Sequence, residues 1–517
     1  MQQRILVVRF GSLGDVLLTS AFLINLRIHF PAAHIVFLTK ERFRTAVELL
    51  PEIDQIATLP ANSGLWKLLA TLIDIEREGF DILFDLHSNT RSWLTSKIIR
   101  AGKTIVYPKR SFERRKIVRT QIIPNSWPHT IDLYNDCLLQ LGKIPFCKRP
   151  NIRRSFEYVP ALSSAKRPSQ TVIIAPGAAH ANKQWPVEKF AETAKLIHER
   201  SGAHIIWVTT RAEAGKSTLE KFLPPTSFSE LIDAPLTTLK DLIAQAGLTI
   251  ANDSGLMHLS SALGTPTIGI FGPTHPALGF SPRGPHDLII ETDEFCRPCS
   301  LHGKTPCWRP EQFCFTRILP HDVAQSAIAQ LNKLSALAPV VFIDRDGTLI
   351  VNKHYLSDPA QVELENGAVE ALHLATQKGY KIVVVSNQSG VARGYFTIEN
   401  VEAVNDRLRN ILASNGITLD GLYYCPHYPS TTSLICDCRK PSAGMAEGAV
   451  QELGVELRRS IVIGDTIDDM NFAKVIGARS ILVRTGYGTR TEAALSNREV
   501  GRDIEVVFSI LDAIKLI

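Results

Sequence analysis

No apolar run in this chain reaches the roughly 18–20 residues that a membrane-spanning helix needs, which excludes a helical integral membrane protein. The first strand-like run, Arg4-Ile-Leu-Val-Val-Arg-Phe10, leads straight into a glycine turn with no small-residue cleavage site. It reads as a first β-strand and not as a secretory signal, so the expected location is the cytoplasm. Internal repeats and low-complexity segments are also missing. Charge of one sign is scarce, because a net charge of +6 on 517 residues is mild and gives no argument for nucleic acid. Cysteine is nearly absent outside two clusters. Four of the nine lie between Cys296 and Cys314, three between Cys425 and Cys438, and only Cys137 and Cys147 elsewhere. In a cytosolic chain that distribution argues for metal or redox chemistry over a disulfide framework.

What is present is an ordinary soluble composition, 45% hydrophobic and 21% charged, on a chain too long for one core. Short β-branched runs recur, each followed by a longer helical pattern. The first series is Ile5–Phe10, Ile35–Leu38, Ile82–Leu86 and Ile105–Tyr107. The second is Val172–Ala175, Ile205–Val208, Leu248–Ala251 and Thr267–Phe271, and the third Val340–Ile343, Ile382–Val385, Ile461–Ile463 and Ile481–Val483. Strands alternating with helices mean parallel, helix-covered sheets. The Pro- and Lys/Arg-bearing stretch Lys148–Gln170 and the segment Ala336-Leu-Ala-Pro339 are the expected boundaries. They give domains at 1–160, 161–330 and 340–517, with 331–339 as linker.

Val340-Val-Phe-Ile-Asp-Arg-Asp-Gly-Thr-Leu349 is a buried strand ending in two carboxylates two residues apart. At a strand's carboxyl end, Asp344 and Asp346 project toward a site. One can attack phosphorus while the other gives a proton to the leaving oxygen. Ser386 after the next strand offers a hydroxyl and nearby N–H groups, and Lys440 a fixed cation for a phosphoryl group. Asp465 and Asp469 add carboxylates, with Asp465 the expected ligand of a magnesium ion, which prefers hard oxygen donors. A lone Asp-x-Asp is usually a solvated turn, but four pieces in order on strand ends are not. Nearby, Cys425-Pro-His427 and, after eight residues, Cys436-Asp-Cys438 match a closed tetrahedral zinc site that would pin an irregular loop. The bland alternative is a set of partly buried thiols beside a surface histidine.

This order resembles the haloacid dehalogenase superfamily, across roughly the whole third domain. With Ser386-Asn-Gln-Ser-Gly-Val-Ala-Arg-Gly394, the Cys/His loop and Cys438-Arg-Lys-Pro441, it is similar to the D-glycero-D-manno-heptose 1,7-bisphosphate 7-phosphatases and the related histidinol-phosphatases. The resemblance implies Asp344 as nucleophile, Asp346 as acid/base, and magnesium held by Asp344, the Asp346 backbone and Asp465. It places Arg345, Asn352, Lys353, His354, Tyr355, Ser386, Asn387, Gln388, Ser389, Arg393, Arg439 and Lys440 around the substrate, with structural zinc on Cys425, His427, Cys436 and Cys438. One departure is Thr466, where the heptose phosphatases often carry lysine.

In the N-terminal part, Gly11-Ser-Leu-Gly14 is a tight turn after a strand and Asp15 opens a helix. Such a terminus can hold an anion, although Ser12 and Asp15 also have the spacing of a capping box. Ile174-Ala-Pro-Gly-Ala178 continues to Asn182-Lys-Gln-Trp-Pro186, placing Lys183 in a loop after a strand. Ala251-Asn-Asp-Ser-Gly-Leu-Met-His-Leu-Ser260 again puts polar groups where a strand meets a helix. Over roughly residues 1–325 these motifs resemble the heptosyltransferases of glycosyltransferase family 9, which implies two facing Rossmann-like domains (GT-B type). The resemblance makes Asp15 the base that deprotonates the acceptor, Lys183 the partner of the departing diphosphate, and Asp253, Ser254, Gly255 and His258 the ADP-heptose site, with no metal required. It implies a lipopolysaccharide core acceptor at the inner membrane surface.

Lys97–Arg119 carries nine Lys or Arg residues against the single acid Glu113, as either a solvated face or a basic acceptor loop. Cys296-x2-Cys299-x7-Cys307-x6-Cys314 has the ligand count of a zinc site, with a structural site or free thiols both open. The expected fold is therefore α/β, a GT-B pair followed by a haloacid dehalogenase-like domain with a zinc loop. The expected function is a heptosyltransferase joined to a heptose bisphosphate phosphatase. The alternatives are a C-terminal histidinol-phosphatase, or an N-terminal half that binds glycolipid without catalysis.

Overall fold

A computed structural model of the chain describes residues 2–60, 65–152, 170–209, 228–428, 436–496 and 504–517. Two compact units meet in sequence between Ser335 and Ala336. The first contains two parallel sheets and the second contains one.

In the first sheet, β1 (Arg4–Val8), β2 (His34–Lys40), β3 (Gln55–Leu59), β4 (Phe80–Asp85) and β5 (Ala101–Val106) take the order β3-β2-β1-β4-β5. The second sheet is built from β6 (Thr171–Ala175), β7 (His204–Thr209), β8 (Ser229–Asp233), β9 (Leu248–Asn252), β10 (Thr267–Ile270) and β11 (Leu288–Ile290), in the order β11-β10-β9-β6-β7-β8. The C-terminal unit has β12 (Val340–Asp344), β13 (Lys381–Asn387), β14 (Gly421–Cys425), β15 (Ile461–Gly464), β16 (Arg479–Val483) and β17 (Glu505–Val507), ordered β14-β13-β12-β15-β16-β17. Every recorded strand pairing is parallel.

The same device recurs three times. The first strand of each sheet is central, the chain winds to one side of it and then returns to the other, and a crevice opens at its carboxyl end. Composition explains why these strands are central. From Ile5 to Val8, Thr171 to Ala175 and Val340 to Asp344, every residue is buried. Each buried Val, Leu, Ile or Phe side chain contributes about 1.5–3 kcal/mol. Edge strands β11 and β17 are exposed or half-buried and contribute less.

Helix Pro320–Ser335 packs on helix Val187–Ser201 against the second sheet, so 331–335, read as linker, are helical and belong to the first unit. The basic run Lys97–Arg119 is mostly regular structure: β5 and helix Ser111–Thr120, with Arg114 buried and Arg115, Lys116 and Arg119 exposed.

Helices Leu13–Leu18 and Gly255–Ala262, one from each of the first two sheets, meet closely through glycine. A Cβ on Gly14 would run into the buried His258 ring, and a Cβ on Gly255 into the Leu13 side chain. Gly14→Ala gains helix propensity but must displace a buried imidazole. We expect it to lower stability by about 1–3 kcal/mol, read as a lower midpoint for the transition of the N-terminal unit alone. An unchanged midpoint would mean that the two helices part without cost.

Two candidate active sites

In the C-terminal unit, four charged side chains converge at the end of β12. Lys440 is 2% exposed; its Nζ lies 2.5 Å from Asp344 Oδ1 and 2.5 Å from Asp469 Oδ1, and donates to the Val385 carbonyl at 3.0 Å. Asp465 stands beside them, and ligand oxygens of Asp344, Asp465 and Asp469 lie within 4.8 Å of one another. Its Oδ2 accepts from the Tyr487 N–H at 2.7 Å, while its Oδ1 is buried with no protein partner. Gly347 and Gly486, both at positive φ, bring backbone close on either side of this carboxylate, where a Cβ would collide with it. Three carboxylates less one ammonium leave two negative charges in a buried pocket. Burial, with Asp469 and Asp465 adding to it, pushes the Asp344 carboxyl well above its usual range despite Lys440. Burial and then Asp469 push Asp465 up to about 7. Burial alone would lower Lys440, but Asp344 and Asp469 outweigh it and keep the ammonium charged. A hard divalent cation fits this donor set, its charge deficit and the orphaned oxygen.

Asp346 faces differently from Asp344. Its carboxylate accepts from Gln388 Nε2 at 2.8 Å and pairs with Arg345 Nη2 at 3.0 Å. The Asp346 side chain is thus aimed away from the other acids, leaving its backbone as the candidate metal donor. Arg345, expected near substrate, is 1% exposed and also donates to Asn405 Oδ1 at 2.8 Å. Its guanidinium is turned inward, onto Asp346 and Asn405. Asn387 has a similar supporting place, exchanging hydrogen bonds with the Lys440 backbone at 3.0 and 3.2 Å. Ser386, near the end of β13, is buried and receives a bond from Gln388, while Ser389, just past the strand, is half-buried.

Asn352, Lys353, His354 and Tyr355 form a rim. His354 and Tyr355 take positive φ, His354 Nδ1 lies 3.2 Å from the Tyr487 hydroxyl, and Tyr355 packs on Tyr395. Lys353 pairs with Glu363 at 2.9 Å and Arg393 lies over the Tyr428 ring. Arg439 donates to the His427 carbonyl at 3.2 Å. Thr466 caps helix Ile467–Ile476 with Asp469, whose Oδ2 accepts from the Thr466 hydroxyl. Cys425, His427, Cys436 and Cys438 put their ligand atoms within 4.8 Å of one another, as a tetrahedral metal requires. Residues 429–435 between them lie outside the described residues. Gln388 N–H donates to the Cys425 carbonyl, which ties the quartet to the end of β13.

In the N-terminal unit, Asp15 sits at the end of β1. It caps its helix through the Ser12 N–H and hydroxyl, both at 3.0 Å, and pairs with Arg9 at 2.7 Å. Burial would raise its carboxyl, but Arg9 and Ser12 outweigh burial and hold it at about 2. Across the crevice Lys183 pairs with Asp253 at 2.6 Å, and Asp253 also accepts from the Thr274 hydroxyl at 2.7 Å. Ser254 Oγ and His258 Nδ1 are buried without protein partners. Gly255 begins the helix that Ser254 caps. Sequence reasoning missed Arg9, His87 and His302 and had Lys109 only as one member of the basic run Lys97–Arg119; all four face this crevice. Burial first, then Arg9 and Lys109, take His87 down to about 3; burial also lowers His302, against the pull of Asp15. Only contact across the sheet could reveal them, since none stands in a motif with its neighbours.

Comparison with known proteins follows the same division. A profile described as glycosyltransferase family 9 (heptosyltransferase) matches residues 73–305, and a HAD-hydrolase-like profile matches residues 437–512. The D-glycero-β-D-manno-heptose-1,7-bisphosphate 7-phosphatase of Photorhabdus laumondii is 41% identical over 161 residues, 30% of this chain and 85% of the relative. The family 9 glycosyl transferase of Veillonella parvula shares the fold with TM-score 0.51 at 23% identity, over 64% of this chain and 97% of its own. The ADP-heptose LPS heptosyltransferase II of E. coli gives TM-score 0.51 at 18% identity, over 65% and 100%.

The raised Asp465 carboxyl sets a pH signature. Its folded value of about 7 exceeds its ordinary 3.8, so the folded state holds the proton more tightly. Without a cation, this group's contribution to stability falls as pH rises from about 4 to about 7. A divalent cation competes with that proton. The stabilisation by magnesium over a chelator control should therefore be larger at pH 8 than at pH 5, near 2.7 kcal/mol at a hundredfold excess over Kd. Equal stabilisation at both values, by thermal unfolding of the C-terminal unit, would place the cation elsewhere.

Proposed function

We propose that this chain, which belongs through its C-terminal unit to the D-glycero-β-D-manno-heptose-1,7-bisphosphate 7-phosphatase family and carries a glycosyltransferase family 9 domain before it, is a bifunctional enzyme of lipopolysaccharide heptose metabolism. The observation that carries the reading is the convergence of Asp344, Lys440 and Asp465 at the switch point of a sheet whose sequence matches those phosphatases.

In the phosphatase reaction Asp344 attacks the 7-phosphate of heptose bisphosphate, forming an acyl phosphate as the bond to the sugar oxygen breaks. Asp346, held by Arg345 and Gln388, gives its proton to that leaving oxygen and then takes one from the water that hydrolyses the acyl phosphate. Lys440 balances phosphoryl charge and holds Asp344 in line. Asp344, Asp465 and the Asp346 backbone would hold magnesium, which supplies charge neutralisation at the phosphoryl oxygens. Ser386, Ser389, Arg393, Arg439 and the 352–355 rim surround the substrate. The Cys425 quartet would hold structural zinc.

In the transferase reaction the donor is ADP-heptose and the acceptor a lipopolysaccharide core at the cytoplasmic face of the inner membrane. Lys183 meets the departing diphosphate, Asp253, Ser254, Gly255 and His258 hold the nucleotide sugar, and Asp15 takes the acceptor proton. Exposed Arg115, Lys116 and Arg119 beside the 79% exposed Phe112 suit an anionic lipid surface. No helix among the described residues is long and apolar enough to cross a membrane. The Arg9–Asp15 pairing favours one second reading, in which this half binds glycolipid without transferring sugar, because a carboxylate near pKa 2 is a weak base until Arg9 is drawn off.

Asp344→Asn should abolish phosphate release from heptose 1,7-bisphosphate by more than about 10³-fold and spare sugar transfer; retained turnover removes the acyl phosphate. Histidinol phosphate cleaved much faster than the bisphosphate would reassign the substrate. For the other half, Asp15→Ala should cut transfer from ADP-heptose about 10²–10⁴-fold with ADP-heptose binding kept. A wild type that binds acceptor and transfers nothing would make the second reading correct.

A further inference from the structure

Residues 291–312 run from β11 to the short helix Phe313–Thr316 without regular structure. Irregular connections of that length are uncommon inside a compact unit and need something to hold them. Apolar packing does little of it, since Phe295 and Trp308 are 73% and 70% exposed. Polar ties do more. The Arg297 guanidinium, 6% exposed as a residue, donates to the carbonyls of Gly272 and Thr274 and pairs with Glu291 at 2.7 Å. Buried Glu294 pairs with both Arg309 and Arg317 at 2.6 Å.

Inside this framework Cys296, Cys299, Cys307 and Cys314 line one small cavity, and none is in a disulfide. Their surroundings are those of sulfur ligands with an outer shell. Arg309 Nη1 lies 3.8 Å from Cys296 Sγ, and Cys299 Sγ lies 3.8 Å from the Pro273 carbonyl. The cavity lining holds no carboxylate, so its only anionic donors are thiolates, which favour softer cations.

We propose that Cys296, Cys299, Cys307 and Cys314 bind one tetrathiolate metal ion, zinc or iron by donor class. The four sulfurs stand further apart than the Cys425 quartet, whose ligand atoms lie within 4.8 Å. Binding would draw irregular backbone inward, without disturbing a sheet. The consequence reaches the crevice. Asn182 Nδ2 donates to the Thr305 carbonyl at 2.9 Å, and Gln312 Nε2 to the Asn182 carbonyl at 2.7 Å. Gly303 lies so close to the Lys183 stem that a Cβ there would collide with it, and the adjacent His302 faces Asp15 and Lys183. The metal-tied loop is thus the wall against which Lys183 stands. The metal site itself does not rest on the transferase reading.

Alkylation mapping on the full-length wild-type protein tests it. Under reducing, oxygen-free conditions these four cysteines should alkylate at least tenfold more slowly before treatment with a strong zinc and iron chelator than after it. Equal rates before and after, or a disulfide between any two of them, overturn the site. Metal analysis adds an independent arm. Full chain with Cys436→Ser and Cys438→Ser should retain about one zinc or iron, and adding Cys299→Ser and Cys307→Ser should remove it. No metal retained in the first variant, or metal retained in the second, overturns the proposal. Cys299→Ser with Cys307→Ser alone should leave the phosphatase rate within twofold, which reports that the chain has folded.

Discussion

The Lys440 ammonium, shared between Asp344 and Asp469 at the carboxyl end of β12, is the interaction on which the C-terminal site depends. Removing one ammonium and three carboxylates from water costs several kcal/mol for each ion. Such a cluster persists only where further bonds satisfy it. The Val385 carbonyl takes a third proton of Lys440, Thr466 holds the free oxygen of Asp469, and Tyr487 N–H holds one oxygen of Asp465. What stays unsatisfied is the other Asp465 oxygen and two units of negative charge. On the proposed reading, magnesium and the phosphoryl group it neutralises answer both deficits. The arrangement stores an affinity for a cation and so prepares a place for a phosphoryl group that brings its own negative charge.

The N-terminal crevice uses the same elements with the opposite balance. Arg9–Asp15 and Lys183–Asp253 each match one cation with one anion, and Lys109, His87 and His302 add groups whose protonation burial opposes. Among the described residues these pairs leave no excess of negative charge. On the proposed reading a diphosphate leaving group needs cations that are already fixed, and Lys183 is held by Asp253 at its tip and by Gly303 along its stem. The difference between the two sites follows from how many carboxylates each β-strand end delivers.

Much of this was legible because strand ends write their function locally. Asp344, Ser386 and Asp465 each stand at the end of a β-branched run and Lys440 in the Arg-Lys-Pro motif behind the Cys/His loop, so order along the chain was enough to bring them together. The α/β class and the division near Ala336 followed from the same alternation. The supporting partners were not legible. Arg345 lies between two motif carboxylates and reads as a phosphate ligand, yet it turns inward because Asn405, from a helix sixty residues away, offers a buried acceptor. The bonds of Asn387 to the Lys440 backbone and of Gln388 to Asp346 join segments far apart in the chain, which no local motif displays. Arg9 was hidden for another reason: a charged residue that continues a buried strand carries no periodic signal, and its partners are the Leu86 carbonyl just past β4, Asp15 of the following helix and Tyr134 of a distant one.

On the proposed reading the two halves share a sugar but no metabolite. Hydrolysis at carbon 7 leaves a sugar still esterified at carbon 1 by a simple phosphate, whereas transfer needs that carbon activated as a nucleoside diphosphate ester. A nucleotidyl transfer must intervene, and none of the charged clusters described here supplies one: the phosphatase pocket is shaped by carboxylates around one lysine, and the transferase crevice holds cations for a leaving diphosphate. Direct passage between the sites would therefore gain nothing chemically. Any benefit of joining them must come from producing early and late activities of one route in fixed ratio, which asks only that each unit keep its own core and its own switch-point site.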